Sequence, residues 1–90
     1  MRQTVRTVTV ANRRGLHARA AAKFVKLAGS FSAEITVANN DNVVSGLSIM
    51  GLMMLAAGPG CRLKIRARGA DADDAVAALA DLIESKFAED

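Results

Sequence analysis

The hydrophobic and polar positions of the chain follow two periods that predict its secondary structure. Alternation at every second residue is typical of a half-buried strand, and hydrophobic residues spaced i, i+3, i+4 and i+7 are typical of an amphipathic helix. In chain order, these patterns predict a strand at 5–10, a helix at 18–28, a strand at 32–37, a short return strand at 43–44, a short helix at 48–55, a strand at 62–68 and a helix from 71 toward 86. The order of elements is therefore β-α-β-β-α-β-α.

Residues typical of turns and caps separate these elements. The run 39–42 (NNDN) predicts a hairpin turn between two strands, and the run 58–60 (GPG) ends the short helix. Asp71 is predicted to be the N-cap of the last helix, with Asp74 in its first turn.

The strand at 62–68 alternates most regularly and indicates how the layers pack. Its inward positions are Leu63, Ile65 and Ala67, and its outward positions are Arg62, Lys64, Arg66 and Arg68. A sheet with one polar face carries its helices on the other face only. The sequence therefore predicts an α+β fold, an open-faced β-sandwich in which a four-stranded sheet packs three helices on one face.

Length and composition limit the kind of protein this can be. A chain of 90 residues with 51% hydrophobic and 23% charged residues is expected to form a single domain over 1–90. Such a domain buries only roughly 60–65% of the surface of its unfolded chain, which favours a small binding or carrier module over an enzyme with a deep cavity. Because the chain has one cysteine, no apolar leader and no apolar run of the ~20 residues that a membrane helix needs, we expect a cytoplasmic location without membrane insertion.

Charged residues are unevenly distributed, although the net charge is only +3. The cations of the first half include Arg13, Arg14, Arg19, Lys23 and Lys26, and the acids of the second half include Asp71, Asp73, Asp74, Glu84, Glu89 and Asp90. This distribution favours contact between the first half and an anionic group.

The outward basic positions of the strand at 62–68 could contact nucleic acid or simply form a solvated face. Without Trp or Tyr, and with three Phe, the chain has little to stack on bases, so a solvated face is favoured and no nucleic-acid partner is expected.

His17 is the single histidine and stands where a glycine-containing loop meets the helix at 18–28. The first backbone N–H groups of a helix lack intrahelical partners, so an anion at this point is stabilised. Arg19 adds a guanidinium that can bond a phosphoryl group. From the residues alone, His17 could carry a phosphoryl group or merely cap the helix, and capping is favoured.

One histidine and one cysteine do not supply the ligands of a zinc site, so neither a metal nor a cofactor is expected.

Two separated motifs resemble those of one known family. Residues 12–25 (NRRGLHARAAAKFV) resemble the active-site segment of HPr, the histidine-containing phosphocarrier of the bacterial phosphoenolpyruvate-dependent phosphotransferase system, and residues 48–55 (SIMGLMML) resemble its second signature. The resemblance implies a four-stranded antiparallel sheet and a carrier, not an enzyme, that acts as a monomer. It also implies that His17 accepts a phosphoryl group on Nδ1 from enzyme I and donates it to enzyme IIA-type domains, while Arg19 steadies the group.

Ser48 stands at a second helix start and has two interpretations, a capping hydroxyl or a regulatory phosphorylation site. The resemblance implies phosphorylation of Ser48 by HPr kinase/phosphorylase. A phosphate at a helix N-terminus should not unfold the domain, so inhibition would arise from charge in the partner-binding surface. The resemblance further assigns Ile49, Met50 and Met53 to a docking patch beside His17. Partner binding is also expected of Lys23 and Lys26, which with Arg19 would rim this apolar centre with positive charge and suit acidic partners.

Two positions depart from the family's pattern. Ala20 stands where relatives commonly have Pro, and this leaves the pose of Arg19 open. Leu47 stands where many relatives have Lys, and this leaves recognition of Ser48 by a kinase open.

Core packing is expected for some of the apolar residues of the short helix, namely some of Leu52, Met54 and Leu55. The alternative function is a regulatory adaptor that acts mainly by Ser48-dependent binding to a kinase or transcription factor, and sugar uptake and nitrogen-related relays both remain open as pathways.

Overall fold

The computed structural model describes residues 2–88, so Met1, Glu89 and Asp90 lie outside the described residues. The elements are β1 (Gln3–Thr9), α1 (Ala18–Ala28), β2 (Glu34–Asn39), β3 (Asn42–Ser45), α2 (Ile49–Met54), β4 (Arg62–Arg68), α3 (Ala72–Glu84) and a short 3₁₀ turn at Lys86–Ala88. The strands form one antiparallel sheet in the order β1-β4-β2-β3. The predicted order of elements and the open-faced α+β fold are confirmed.

The core lies between the sheet and the helices. On β4, every second side chain is buried and the alternate ones are exposed, as the period of two requires. Helix α1 buries Ala20, Ala21, Phe24 and Ala28, and α3 buries Ala72, Ala75, Val76, Leu79, Ala80 and Ile83. The small alanine side chains let α1 and α3 approach the sheet closely. The large side chain of Phe24 is buried in the core between α1 and the sheet.

The strand ends differ from the prediction because pairing and side-chain contacts set them. β1 begins at Gln3, since Gln3 pairs with Arg68 at the end of β4. β2 extends to Asn39, which pairs with Asn42 across the hairpin. The predicted turn is confirmed: Asn40 and Asp41 connect the two strands, and Asn40 adopts a φ of +57°, which asparagine tolerates better than most residues.

Asp71 is the N-cap residue of α3, as predicted, but its side chain makes no capping hydrogen bond and instead holds two segments together. It precedes α3, but its carboxylate accepts hydrogen bonds from the backbone N–H of Ser32 at 2.9 Å and of Ala33 at 2.8 Å, and from the Ser32 hydroxyl at 3.2 Å. β2 therefore begins at Glu34, because the two preceding N–H groups are engaged by Asp71. These bonds, first that from the Ser32 N–H, lower the pKa of Asp71.

Helix α3 ends at Glu84, before the predicted end near Lys86. Lys86, Phe87 and Ala88 all adopt φ values near +60°, which no α-helix can continue through. This turn buries Phe87 completely. Within residues 2–88, each helix is too short or too polar to span a bilayer.

Candidate functional site

The loop before α1 is fixed to the loop after α2 by backbone hydrogen bonds. Val10 donates to the carbonyl of Cys61 at 2.8 Å and accepts from Gly60 at 2.9 Å. Leu16, whose side chain is buried, donates to the carbonyl of Ala57 at 2.8 Å. Since Leu16 immediately precedes His17, these bonds hold the start of α1 in place.

Gly15 permits this close approach of the two loops. Its φ is +64°, and a Cβ at this position would stand 2.3 Å from the carbonyl oxygen of Ala57 and 2.8 Å from Cα of Gly58. Both the backbone conformation and the lack of space therefore require glycine. Gly15 thus helps to position His17 by allowing the two loops to pack closely, although it has no side chain that could take part in a reaction.

Asn12 is the positioning residue that the sequence analysis did not single out. It is completely buried, and its Nδ2 donates to the carbonyl of Gly15 at 2.8 Å, while the backbone N–H of Gly15 donates to the carbonyl of Asn12 at 3.2 Å. The signal was an asparagine three residues before a glycine, a spacing typical of a type I turn. Asn12 therefore braces the turn that leads to His17.

His17 is the N-cap of α1. Its backbone is extended (φ −79°, ψ 179°), and its Nδ1 accepts a hydrogen bond from the backbone N–H of Arg19 at 3.2 Å. The carbonyl of His17 accepts the first helical bond, from Ala21 at 2.8 Å. The capping interpretation is confirmed, and it directs the lone pair of Nδ1 toward the positive end of the helix. Nδ1 is also the atom on which the resemblance puts the phosphoryl group.

The residues around His17 on α1 differ in exposure. The imidazole is half-buried and the Arg19 side chain is exposed, whereas Ala20 is completely buried under the first turn. Helix α1 begins at its predicted residue, so alanine serves at position 20 without shifting the helix start. Within residues 2–88, no group of three His, Cys, Asp or Glu side chains is arranged to hold a metal ion.

Ser48 is the N-cap of α2. Its Oγ accepts a hydrogen bond from the backbone N–H of Gly51 at 2.9 Å, and its carbonyl accepts one from Leu52 at 3.0 Å. The capping interpretation of Ser48 is confirmed. The hydroxyl is half-buried.

Helix α2 runs back along α1 toward His17. Leu47, just before α2, has its Cδ2 atom 3.9 Å from the point where a Cβ of Gly29 would stand, at the C-terminal end of α1. Ala57, just after α2, is bonded to Leu16 at the N-terminal end of α1. Ser48 and His17 therefore lie toward opposite ends of the surface that α1 and α2 form together.

Exposed hydrophobic side chains cover the outer side of α2. We call them the apolar patch, and their exposed fractions are 60% for Leu47, 41% for Ile49, 71% for Met50, 41% for Met53 and 77% for Met54. Ile49, Met50 and Met53, the apolar members of the predicted docking patch, are all exposed, as docking would require. Leu52 and Leu55 are buried as core residues, whereas Met54 is not. Such a patch on a small domain is typical of an interaction surface.

The two lysines of the predicted patch occupy different environments. Lys26 is exposed, whereas Lys23 is half-buried and its Nζ donates to the carbonyl of Phe87 at 2.7 Å. Lys23 therefore ties α1 to the turn after α3 as well as contributing charge.

Comparison with known proteins assigns the chain to a family. A family model described as "PTS HPr component phosphorylation site" matches residues 4–85. The chain belongs to the HPr family. This places it among the phosphocarrier proteins of the phosphotransferase system.

HPr proteins of known sequence and structure match this chain over nearly its whole length. Phosphocarrier protein HPr of Neisseria meningitidis serogroup A is 47% identical over 83 residues, which are 92% of this chain and 93% of that protein. Phosphocarrier protein NPr of Shewanella violacea is 43% identical over 89 residues, 99% of this chain and 98% of that one. The crystal structure of HPr-C-His from Thermoanaerobacter tengcongensis is 44% identical, superposes with a TM-score of 0.90, and covers 100% of this chain and 99% of its own.

Proposed function

We propose that this protein carries a phosphoryl group on Nδ1 of His17, taking it from phosphorylated enzyme I and passing it to a histidine of an enzyme IIA-type domain. The observation that carries the proposal is the hydrogen bond from the Arg19 N–H to Nδ1, because it leaves the proton of the neutral ring on Nε2. The lone pair on Nδ1 is then the nucleophile.

The transfer balances without a separate acid or base. The lone pair of His17 Nδ1 attacks phosphorus, a new N–P bond forms, and the N–P bond to the enzyme I imidazole breaks, its electron pair returning to that nitrogen. The proton on Nε2 of His17 stays in place. The second transfer repeats this exchange with His17 as the leaving group. Since the chemistry needs mainly positioning and charge stabilisation, a small rigid carrier suffices.

Two groups of Arg19 support the phosphoryl group in this proposal. Its backbone N–H, now bonded to Nδ1, would turn to a phosphoryl oxygen once Nδ1 forms the N–P bond. Its exposed guanidinium can make charge-assisted hydrogen bonds to the remaining oxygens. The N-terminal end of α1 adds its positive dipole.

The apolar patch is proposed to dock enzyme I and the IIA-type acceptors beside His17. Ile49, Met50 and Met53 supply its centre, and Arg19, Lys23 and Lys26 supply positive charge from α1. Flexible methionine side chains suit a surface that must fit more than one partner. The surrounding cations favour partners that carry acidic residues around an apolar centre.

Ser48 is proposed to be a regulatory site, phosphorylated by an HPr kinase/phosphorylase. Its Oγ caps α2 and lies next to Ile49 at one end of the apolar patch. A phosphate there would keep acceptor oxygens at the helix start but would put negative charge into a surface that binds acidic partners. Phosphorylation of Ser48 would therefore weaken docking without unfolding the domain.

Phosphate incorporation from phosphoenolpyruvate tests the His17 proposal. The purified protein is incubated with labelled phosphoenolpyruvate and enzyme I of the same organism, and the His17→Ala variant is treated in parallel. Because the chain has one histidine, acid-labile label on the wild type that disappears in the variant identifies the acceptor. A folded wild-type protein that takes no label would contradict the carrier and leave the Ser48-dependent adaptor as the function to test.

A matched pair of substitutions separates charge from capping at Ser48. Ser48→Asn and Ser48→Asp both keep an N-cap acceptor, but only aspartate adds a negative charge. We expect Ser48→Asp to bind enzyme I about tenfold more weakly than Ser48→Asn, with similar thermal midpoints for the two variants. Equal affinities would contradict the proposed regulation.

A further inference from the structure

The outer face of the sheet carries an unshielded row of cations. All three helices pack on the inner face, and the central strand β4 directs four exposed basic side chains outward. We call Arg62, Lys64, Arg66 and Arg68 the basic row. Alternate residues of a strand lie about 7 Å apart, so the row is a regular line of positive charge across an open surface.

The neighbouring strands do not neutralise this row. Across the sheet, Arg66 lies between Val5 and Thr36, and Lys64 lies between Thr7 and Ala38. Arg62 pairs with Thr9, and Arg68 alone has an acidic neighbour, Glu34. Within residues 2–88, no carboxylate oxygen comes within ion-pair distance of the four side chains of the row.

Two acidic residues of the second half, Asp73 and Glu84, lie on the opposite layer. Asp73 of α3 pairs with Arg2 at 2.5 Å, and Glu84 of α3 lies 3.8 Å from Arg6. These carboxylates belong to the helix that covers the inner face. The outer sheet face is therefore positive, and among the described residues the four cations of its row form no ion pair.

We propose that the basic row is a second docking surface, which binds an extended acidic segment of a partner protein. A segment with a carboxylate at every second residue repeats at the same spacing as the row. Arginine, at three of the four positions, can bond each carboxylate with two N–H groups. Val5 and Val43, which are 44% and 61% exposed on the same face, offer apolar contacts beside the charges. Arginine beside exposed apolar side chains is typical of protein interfaces.

The aromatic residues favour a protein over a nucleic acid as the ligand of this face. Phe24 and Phe87 are completely buried, and Phe31 packs against the core. With no Trp or Tyr in the chain, the sheet face has no ring on which a base could stack. The exposed valines would also gain nothing from a phosphate backbone.

The position of the row separates this docking from the chemistry of His17. His17 begins α1, which packs on the inner side of the sheet, whereas the row lies on the outer side. One protein bound to the row would therefore leave His17 and the apolar patch accessible to another. The carrier could then be held on one partner while it exchanges a phosphoryl group with a second.

NMR titration of the ¹⁵N-labelled protein with a synthetic peptide tests this inference. The probe is a peptide in which glutamate alternates with threonine, and the control is the same peptide with glutamine in place of glutamate. We expect the acidic peptide to shift amides of β4 and of its flanking strands, and the glutamine peptide to shift none. A response centred on α1 and α2, or no response at millimolar peptide, would overturn the proposal.

Two variants of equal net charge give the matched comparison. Lys64→Glu/Arg66→Glu reverses the middle of the row, whereas Arg14→Glu/Lys86→Glu reverses two exposed cations elsewhere. We expect the first to bind the acidic peptide about tenfold more weakly than the second. Equal loss in both variants would show that net charge alone attracts the peptide. If the wild-type protein bound an oligo(dT) strand or phosphatidylglycerol vesicles more tightly than the acidic peptide, the ligand of the row would be a nucleic acid or a membrane and not a protein. Each of these results would overturn the proposal, and none depends on phosphorylation of His17.

Discussion

The backbone N–H of Arg19 donates a hydrogen bond to Nδ1 of His17 over 3.2 Å. The bond is local, because it joins the N-cap residue to the first turn of α1, yet in the neutral ring it leaves Nδ1 as the nitrogen without a proton. The atom that makes the capping contact is thus the same atom that we propose as the nucleophile. The capping role of His17 and its proposed phosphocarrier role are compatible for this reason.

The first prediction concerns the tautomer of His17. In the neutral ring, we expect the proton on Nε2, since Nδ1 must accept the bond from Arg19. Two-dimensional ¹⁵N NMR of the imidazole nitrogens distinguishes the tautomers directly. The same spectra should show a large shift of the Arg19 amide on phosphorylation. A ring protonated on Nδ1 in its neutral form would contradict the proposed nucleophile.

The second prediction uses three glycines that differ in strain and in space. Gly15→Ala combines a left-handed φ with a Cβ only 2.3 Å from the Ala57 oxygen, so it should destabilise the fold by more than the ~1–2 kcal/mol of the left-handed conformation alone. Gly60→Ala has only the positive φ, and Gly58→Ala has neither problem. Urea unfolding should therefore rank the variants Gly15, Gly60 and Gly58, from most to least destabilised. Of the three variants, Gly15→Ala should show the largest loss of phosphate label from enzyme I. A Gly58→Ala variant as unstable as Gly15→Ala would refute the explanation by strain and space.

The third prediction concerns the stability that Asp71 contributes. Hydrogen bonds from Ser32 and Ala33 lower its pKa below the ordinary value of 3.8, so the folded state favours the charged carboxylate. The resulting stability is present above the unfolded pKa and is lost as pH falls through the folded one. Asp71→Asn should therefore lower the thermal midpoint at neutral pH, and its difference from wild type should shrink below pH 3.8.

Asp74 provides the control for this measurement. It is exposed in the first turn of the same helix, and Asp74→Asn should have a smaller effect on the thermal midpoint. A difference between wild type and Asp71→Asn that is constant from neutral to acid pH would rule out the linkage.

The fourth prediction separates the docking role of α2 from its packing role. Met50 is 71% exposed, so Met50→Ala should change the free energy of unfolding by less than about 0.5 kcal/mol but weaken binding to enzyme I by about tenfold. Leu52 is completely buried, and Leu52→Ala should cost about 2–5 kcal/mol of stability. Calorimetric titration and chemical unfolding measure the two effects. Unchanged affinity in Met50→Ala would exclude it from the docking surface.

Met54→Ala extends this comparison to a residue that the sequence left as a core candidate. At 77% exposure it should behave like Met50 in unfolding. Its affinity for enzyme I shows whether the docking surface reaches this end of α2.

Much of the fold was predictable because its strongest elements have regular periods. The helix at 18–28 and the strand at 62–68 were predicted with their observed ends. The ends that differed depend on distant residues. Ser32 and Ala33 leave β2 because Asp71, 39 and 38 residues away, takes their N–H groups. No pattern within a local window contains that contact.

The candidate site likewise has features that local sequence patterns predict and features that depend on the folded structure. Residue type and period were enough to predict that one histidine stands at a helix start, that two motifs resemble those of the HPr family, and that the inward and outward faces of β4 differ. The folded chain was needed to show that Nδ1 of His17 accepts the Arg19 N–H, that Ala57 holds Leu16 in place, and that Met54 faces solvent while Leu52 does not. Residues of α2 are apolar on all sides, so periodicity cannot tell a core face from a docking face. Packing against α1 makes that choice, because it brings together segments that are far apart in the chain.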